Sequence, residues 1–190
     1  MKTFKQSLLL TFLLLLFFGG VYPIIIWAVG NLFPHQAVGS PVTKNGQIIG
    51  FENVGQNFSA ENYFWGRPSA VGYNAASTGG SNLGPTNPAH LEAVKARIDT
   101  FLVYHPYLTA SEIPADLVTA SGGGLDPHIS PKAAMIQVKR VAIQRKVDDS
   151  SLRVIVQSHI EPPIFGIFGT EKVNVLKLNL SLDEMMKRNE

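Results

Sequence analysis

The residue types that could carry chemistry are scattered along this sequence. The five histidines show no metal-ligand spacing, because no two of them lie three to five residues apart. The chain has no cysteine, which excludes thiolate nucleophiles, thiolate metal ligands and disulfides. No serine stands in a G-x-S-x-G elbow, and none is followed three residues later by lysine. The sequence therefore predicts neither a catalytic residue nor a metal site.

Two weaker patterns leave alternatives open. The glycine-rich run at 121–124 lacks the Lys-Ser/Thr of a phosphate-binding loop and precedes the next predicted helix by six residues, so we interpret it as a tight turn. Asp126 beside His128 is a lone acid–base pair without a visible orienting group. A hydrolase that uses Ser121, Asp126 and His128 stays an alternative function, and a solute-binding module is another.

An aromatic segment is the most unusual part of the sequence. Gln56 and Phe58 come shortly before Tyr63, Phe64 and Arg67. Aromatic residues and arginine are enriched at the energetic centres of protein interfaces. We therefore predict that these five residues form a partner-contact surface or its buttress, and core packing is the competing interpretation.

An apolar segment near the N-terminus predicts a membrane anchor. Residues 8–29 carry no charge, and 15 of these 22 residues are Leu, Ile, Phe or Val. As a helix they would span roughly 33 Å, slightly more than the ~30 Å hydrocarbon core of a bilayer. Gly19, Gly20 and Pro23 are the predicted packing positions of this helix. The two glycines let a neighbouring backbone approach, and a neighbouring helix can cover the carbonyl that a kink at Pro23 frees. A cleaved signal peptide ending at 28–30 is the alternative.

The distribution of charge predicts the orientation. Lys2 and Lys5 precede the anchor, whereas no Lys or Arg follows it until Lys44. The positive-inside rule then places residues 1–7 in the cytoplasm and the remainder outside. Without those two lysines the chain has 14 basic and 14 acidic residues, so it presents no basic footprint for nucleic acid. The bilayer is the one partner that composition predicts.

Beyond the anchor we expect a linker at 30–40 and one mixed α+β domain at 41–190. A hairpin is predicted at 42–49, around an Asn45-Gly46 turn. Residues 66–88 have no apolar period, and the predicted helices begin at Asn87, at Ser130 and at 148–149. Residues 173–178 are a predicted strand, followed by a polar tail. The predicted inward positions are Leu91, Val94, Ile98, Phe101 and Leu102; Ala134, Val138, Val141 and Ala142; and Leu152, Ile155, Val156 and Ile160.

Several sequence blocks, in order along the whole chain, resemble the C subunit of the bacterial Kdp potassium-transporting ATPase. Beyond Tyr22-Pro23 in the anchor, the blocks are Gly55-Gln56-x-Phe58, Tyr63-Phe64-x-Gly66-Arg67-Pro68-Ser69-Ala70, Gly79-Gly80-Ser81-Asn82-Leu83, Asn87-Pro88, Val118-Thr119-Ala120-Ser121-Gly122-x-Gly124-Leu125-Asp126-Pro127-His128-Ile129-Ser130, Gln137-x-x-Arg140-Val141-Ala142 and Val173-Asn174-Val175-Leu176-x-Leu178-Asn179.

The resemblance implies an accessory subunit in the bacterial inner membrane, without catalysis or a cofactor of its own. Its implied partners are a potassium-channel-like subunit and a P-type ATPase subunit, which handle K⁺ and ATP. The family is described as needed for assembly and as a chaperone that raises the ATP affinity of the hydrolysing subunit. Because ATP is cytoplasmic and the domain is predicted outside, we expect that effect to act through the partner's conformation.

Overall fold

The computed structural model describes the backbone of residues 2–189 and the side chains of residues 2–186. The chain divides into two compact units, one up to Val42 and one from Thr43 onward. The first is mainly a helical run from Lys2 to Gly30, long and apolar enough to cross a membrane. The second contains the helices and strands of a mixed α+β domain, so the predicted fold class is confirmed.

The N-terminal run consists of α1 (Lys2–Leu16), a π-helical turn (Phe17–Val21) and α2 (Tyr22–Gly30). Pro23 has no N–H and its ring crowds the preceding turn, which is a common cause of local helix distortion. The widened turn directly precedes it, and the Tyr22 N–H bonds to the Phe17 oxygen five residues back. A Cβ added at Gly19 or Gly20 would meet no atom of the described residues within 4 Å, the backbone of its own helix apart. The boundaries of the membrane span and of the linker stay predictions; the linker contains the short helix α3 (Pro34–Ala37).

A hairpin follows, with strands β1 (Pro41–Lys44) and β2 (Gln47–Phe51). Asn45 and Gly46 both have positive φ, as the predicted turn requires. Residues 52–87 contain no helix or strand. They lie against the Gly-rich turn through the Gly79 N–H, which donates to the Gly123 oxygen at 3.1 Å. That turn is closed by Gly124, whose N–H donates to the Ser121 oxygen at 3.3 Å, which confirms the prediction of a tight turn.

The predicted helix starts are confirmed. Helix α4 (Pro88–Tyr104) is capped by the Asn87 side chain, α5 (Pro131–Arg145) by Ser130, and α6 (Asp149–Ser158) by Asp148. Two 3-10 turns, Ala110–Glu112 and Ala115–Leu117, connect α4 to the strand that precedes α5. In α4 only Phe101 is fully buried, and Leu91 is exposed, so this helix lies at the edge of the domain.

A small antiparallel sheet has the strand order β3 (His128–Ile129), β5 (Lys172–Asn174), β4 (Ile160–Glu161). Ile129 and Ile160 both lie opposite Val173 of the central strand. The chain then continues as helix α7 (Val175–Asn189). The core lies where α5, α6 and α7 meet this sheet, and it includes Phe64, Val138, Val141, Leu152, Val156, Val173, Leu178 and Leu182.

The prediction of a strand at 173–178 with a polar tail is wrong. The strand ends at Asn174, whose side chain accepts a hydrogen bond from the Lys177 N–H at 3.2 Å. That bond is typical of a helix start, and the apolar residues Val175, Leu178 and Leu182 continue at a helical spacing. The prediction for Ile160 also needs correction, because α6 ends at Ser158 and Ile160 lies in β4.

Candidate functional site

The aromatic segment at 61–65 is irregular backbone held by side chains of two helices. Five consecutive carbonyl oxygens, from Glu61 to Trp65, each accept a hydrogen bond from a side chain of α5 or α7. In a sheet, these acceptors would be bound by a neighbouring strand. Here the helices supply the donors, so the segment is fixed although it has no regular structure.

Two buried amides bind this segment in the same way. The Phe64 N–H donates to Asn179 Oδ1 at 2.9 Å, and Asn179 Nδ2 donates back to the Phe64 oxygen at 3.0 Å. The Trp65 N–H donates to Gln137 Oε1 at 2.8 Å, and Gln137 Nε2 returns a bond at 3.2 Å. Each pair mimics the two-bond exchange between antiparallel strands.

Arg140 binds the other end of the segment. Its guanidinium donates to the Glu61 oxygen, to the Tyr63 oxygen at 3.0 Å and to the buried ring of His105 at 3.0 Å. It also lies over the Trp65 ring, with its central carbon 4.1 Å from the ring centroid. Burial lowers the pKa of Arg140 to about 10, so the side chain stays cationic at neutral pH.

The five residues of the predicted contact surface divide into two groups. Phe64 has no exposed surface. Gln56 is half-buried, and its Nε2 donates to the Ile49 oxygen of β2 at 3.0 Å. Phe58, Tyr63 and Arg67 are half-buried. The structure therefore buries Phe64, engages the Gln56 side chain with β2 and leaves the other three partly accessible. Their role in partner contact stays a prediction.

The accessible side of the segment borders a cavity of about 460 Å³. Its lining includes Arg67 and four aromatic residues, Phe58, Trp65, Tyr73 and Tyr104. Trp65 is held edge-on against Tyr104, with ring centroids 5.1 Å apart. Tyr63 stacks under the Arg145 guanidinium and donates to Asp183 at 3.2 Å. The exposed aromatic edges are thus fixed in place.

Arg67 and Asp126 form an ion pair beside His128. Arg67 Nη1 lies 3.0 Å from Asp126 Oδ2, and the His128 N–H donates to Asp126 Oδ1 at 3.0 Å. Burial would raise the pKa of the Asp126 carboxyl, but the bonds from His128 and Arg67 outweigh it and lower the pKa to about 2. Asp126 is therefore ionised at neutral pH and is a poor proton donor.

The chemistry that a hydrolase would need is not assembled around this pair. The Ser121 side chain is buried, and its backbone N–H donates to Pro68; in the described chain it makes no hydrogen bond to Asp126 or His128. The Ser130 hydroxyl is occupied by Asp116 and by its capping bond to helix α5. Among the side chains of residues 2–186, no three from His, Cys, Asp or Glu are grouped as metal ligands.

The residues that organise the site were not among those predicted for it. Gln137 and Arg140 lie on the inward side of α5, and Asn179 lies on that of α7, all of them buried. The available signal was a polar residue on an apolar stripe: Gln137 is three residues after Ala134 and four before Val141. A buried polar side chain needs a hydrogen-bond partner. The sequence does not show that the partner here is the irregular backbone of the segment at 61–65.

Comparison with known proteins gives a consistent result. The model of the family described as "K+-transporting ATPase, c chain" matches residues 4–184. A Bacteroides fragilis protein named "Potassium-transporting ATPase KdpC subunit" is 50% identical over 99% of this chain and 100% of its own length. Proteins of the same name from Flavobacterium psychrophilum and Caldanaerobacter subterraneus are 49% and 46% identical, over 97% of this chain and 100% and 96% of their own lengths. The chain therefore belongs to the family of c chains of the K⁺-transporting ATPase.

Proposed function

We propose that this chain is a non-catalytic accessory subunit of a K⁺-transporting ATPase and that it binds the channel-like subunit through Phe58, Tyr63 and Arg67. The observation that carries the proposal is the fixing of five consecutive carbonyls in the segment at 61–65. A surface that is ordered before binding loses less conformational entropy when a partner docks. Phe64 and Gln56 then serve as the buttress behind this surface.

Arg67→Lys is the sharpest test of this surface. Lysine keeps the positive charge, but it cannot present the planar fork that arginine offers to a carboxylate or an aromatic face. We expect the variant to fold normally, to co-purify poorly with the other subunits and to fail to support growth at micromolar K⁺. Arg153→Lys, at an exposed position of α6, is the matched control. Normal growth and normal co-purification of Arg67→Lys would contradict the proposed contact.

A pair of alanine variants distinguishes residues that contact the partner from residues that stabilise the domain. Phe58 is half-buried against Tyr63, with ring centroids 5.6 Å apart, whereas Phe64 is fully buried. Phe58→Ala should therefore weaken assembly while the domain stays folded. Phe64→Ala should lower the thermal midpoint of the domain first, and assembly only as a consequence. Equal losses of stability in both variants would favour core packing as the whole role of the segment.

The proposed orientation puts the N-terminus in the cytoplasm and the domain outside the bacterial inner membrane. Lys2 and Lys5 support it, because the far end of the anchor carries no Lys or Arg before Lys44. Any effect of this chain on ATP affinity must then be conformational, since the domain and the nucleotide are on opposite sides. Protease added to intact spheroplasts should digest the domain. Digestion only in inverted vesicles would reverse the topology and permit direct contact with ATP.

We further propose that the anchor is retained and packs on a partner helix through Gly19 and Gly20. A Cβ added at either glycine would meet no described atom within 4 Å apart from the backbone of its own helix, which leaves room for a close neighbour. Gly20→Leu should reduce co-purification with the membrane subunits, and Val29→Leu is a control outside this pair. A mature chain that begins near Asn31 by mass spectrometry would show cleavage and end this proposal.

A further inference from the structure

An exposed apolar loop joins strands β4 and β5. The apolar loop, residues 162–169, carries Ile164, Phe165, Ile167 and Phe168, and their exposed fractions lie between 64% and 89%. Ile164 and Phe168 face each other across an isolated antiparallel bridge, so the four side chains form one projecting tip. Contiguous exposed apolar surface of this kind marks a binding site for a protein or a membrane.

Most backbone N–H groups of the apolar loop donate to carbonyls within the loop. Pro162 and Pro163 have no N–H, and four of the next five residues donate within the loop. The Ile164 N–H donates to the Phe168 oxygen at 2.9 Å, and the Phe168 N–H returns a bond to Ile164 at 3.0 Å. The N–H groups of residues 166 and 167 also donate to loop carbonyls. A backbone that leaves water needs such internal partners.

The side-chain chemistry of the apolar loop fits lipid better than a protein surface. Residues 162–169 are Pro, Ile, Phe and Gly alone, without a charged or hydrogen-bonding side chain. Protein interfaces combine apolar contact with hydrogen bonds and favour Trp, Tyr and Arg at their centres. Acyl chains require no directional bond, and the carboxylates of Glu161 and Glu171 at the two ends of the loop would stay in water.

The predicted anchor of this chain keeps the domain close to a bilayer. The helix from Lys2 to Gly30 is long and apolar enough to cross it, and residues 31–40 connect this helix to the domain. Ten residues extend to at most ~36 Å, so the domain must remain near the surface that the anchor enters. Such tethering converts even weak lipid contact into a local, intramolecular equilibrium.

We propose that the apolar loop inserts into the headgroup boundary of the leaflet on the domain side and gives the chain a second membrane contact. The insertion is shallow, about 5–10 Å, because irregular backbone does not enter the hydrocarbon centre. The contact restricts rotation of the domain about its linker. The proposal rests on the anchor and is independent of the surface around Arg67.

A site-directed spin label tests the proposal in the full chain. The chain has no cysteine, so Phe165→Cys provides a single labelling site at a position whose side chain is 89% exposed and supports no core packing. The labelled chain is reconstituted into vesicles of phosphatidylcholine, which carry no net charge. We expect a severalfold higher ratio of oxygen to nickel-chelate collisions than for the matched control Val103→Cys, which is exposed on α4.

Two outcomes would overturn the proposal. Equal collision ratios at positions 165 and 103 would place the apolar loop in water. A label that is water-accessible in vesicles of the chain alone, and becomes immobile only after purified partner subunits are added, would assign the loop to a protein partner. Because Phe165 is exposed, the circular dichroism spectrum of the variant should match the parent and exclude misfolding as a cause.

Discussion

Because of His105, we expect the free energy of unfolding of this domain to decrease as the pH is lowered from 6.5 to 4. Its ring has no exposed surface and stacks on Phe101, with centroids 3.8 Å apart. Nε2 must accept from the Arg140 Nε–H, because an arginine nitrogen can only donate, so Nδ1 carries the proton and donates to the Phe101 oxygen at 2.8 Å. Protonation of Nε2 would break the bond to Arg140 and bring two cations together.

The magnitude follows from the pKa. Burial, with a smaller contribution from the Arg140 charge, outweighs the bond to Phe101 and lowers the pKa of His105 from 6.5 to about 4. The unfolded chain therefore binds a proton in this range and the folded chain does not. The stabilisation is fully present above pH 6.5 and is lost as the pH falls through 4. Each pH unit in this window removes about 1.4 kcal/mol, or about 3 kcal/mol in total.

Urea unfolding at a series of pH values provides the measurement. Trp27→Phe leaves Trp65, whose ring centroid lies 5.8 Å from His105, as the single tryptophan and reporter. From pH 8 to pH 5 the parent should lose about 2 kcal/mol, a midpoint shift of about 1 M urea at a typical denaturant dependence. The Asp126 carboxyl contributes little to the loss of stability between pH 8 and pH 5, because its pKa of about 2 keeps it ionised in the folded domain over this range.

His105→Gln removes the titration and retains an acceptor for Arg140. The variant is expected to lose much less stability than the parent over the same range, even if it is less stable at pH 8. His90→Gln controls for removing a histidine outside this network. Parallel losses in the parent and in His105→Gln would refute the reasoning, because the pH dependence would then come from other groups.

Three further changes test the packing behind the site by the same unfolding measurement. Phe64→Ala should lower the free energy of unfolding by about 3–5 kcal/mol, because removing a fully buried aromatic ring leaves a cavity. A loss below about 1 kcal/mol would show that the core closes over the cavity. Asn179→Leu should lower the free energy of unfolding by about 2–5 kcal/mol, since it leaves the buried Phe64 N–H and carbonyl unpaired. Asn179→Ser should recover little of this loss, because the serine side chain is too short to reach both groups. Gly124→Ala should lower the free energy of unfolding by about 1–3 kcal/mol, because φ is +72° and the new Cβ would lie 2.6 Å from Val71 Cγ2. Gly84→Ala is the control, because a Cβ at Gly84 would meet no described atom within 4 Å.

Local signals in the sequence predicted the starts of the elements well. Asn87, Ser130 and Asp148 each cap the helix that they were expected to begin, because a cap depends on the few residues next to it. The run from Val173 to Leu178 is short and apolar except at Asn174 and Lys177, and it favours a strand by local pattern alone. Tertiary context decides otherwise: only Lys172–Asn174 pair with the neighbouring strands, and the chain turns into α7.

Composition predicts the aromatic segment but not its geometry. The density of aromatic residues around Tyr63 and Phe64, next to Arg67, distinguishes this part of the sequence. The side chains that hold the segment, Gln137 and Asn179, are 72 and 115 residues away from their partners in the sequence. Contacts between distant side chains and irregular backbone have no periodicity, so neither amphipathic patterns nor turn chemistry predicts them.

The occupied carbonyls at 61–65 also limit how another chain can bind there. Many partners add a strand to an exposed sheet edge and pair with its backbone, which makes recognition tolerant of side-chain changes. Here the carbonyl of each residue is already bound by a helix side chain, so the segment offers an incoming strand few free acceptors. It also cannot act as a template for edge-to-edge aggregation. A partner must recognise its side chains and their spacing, which makes docking here selective for sequence.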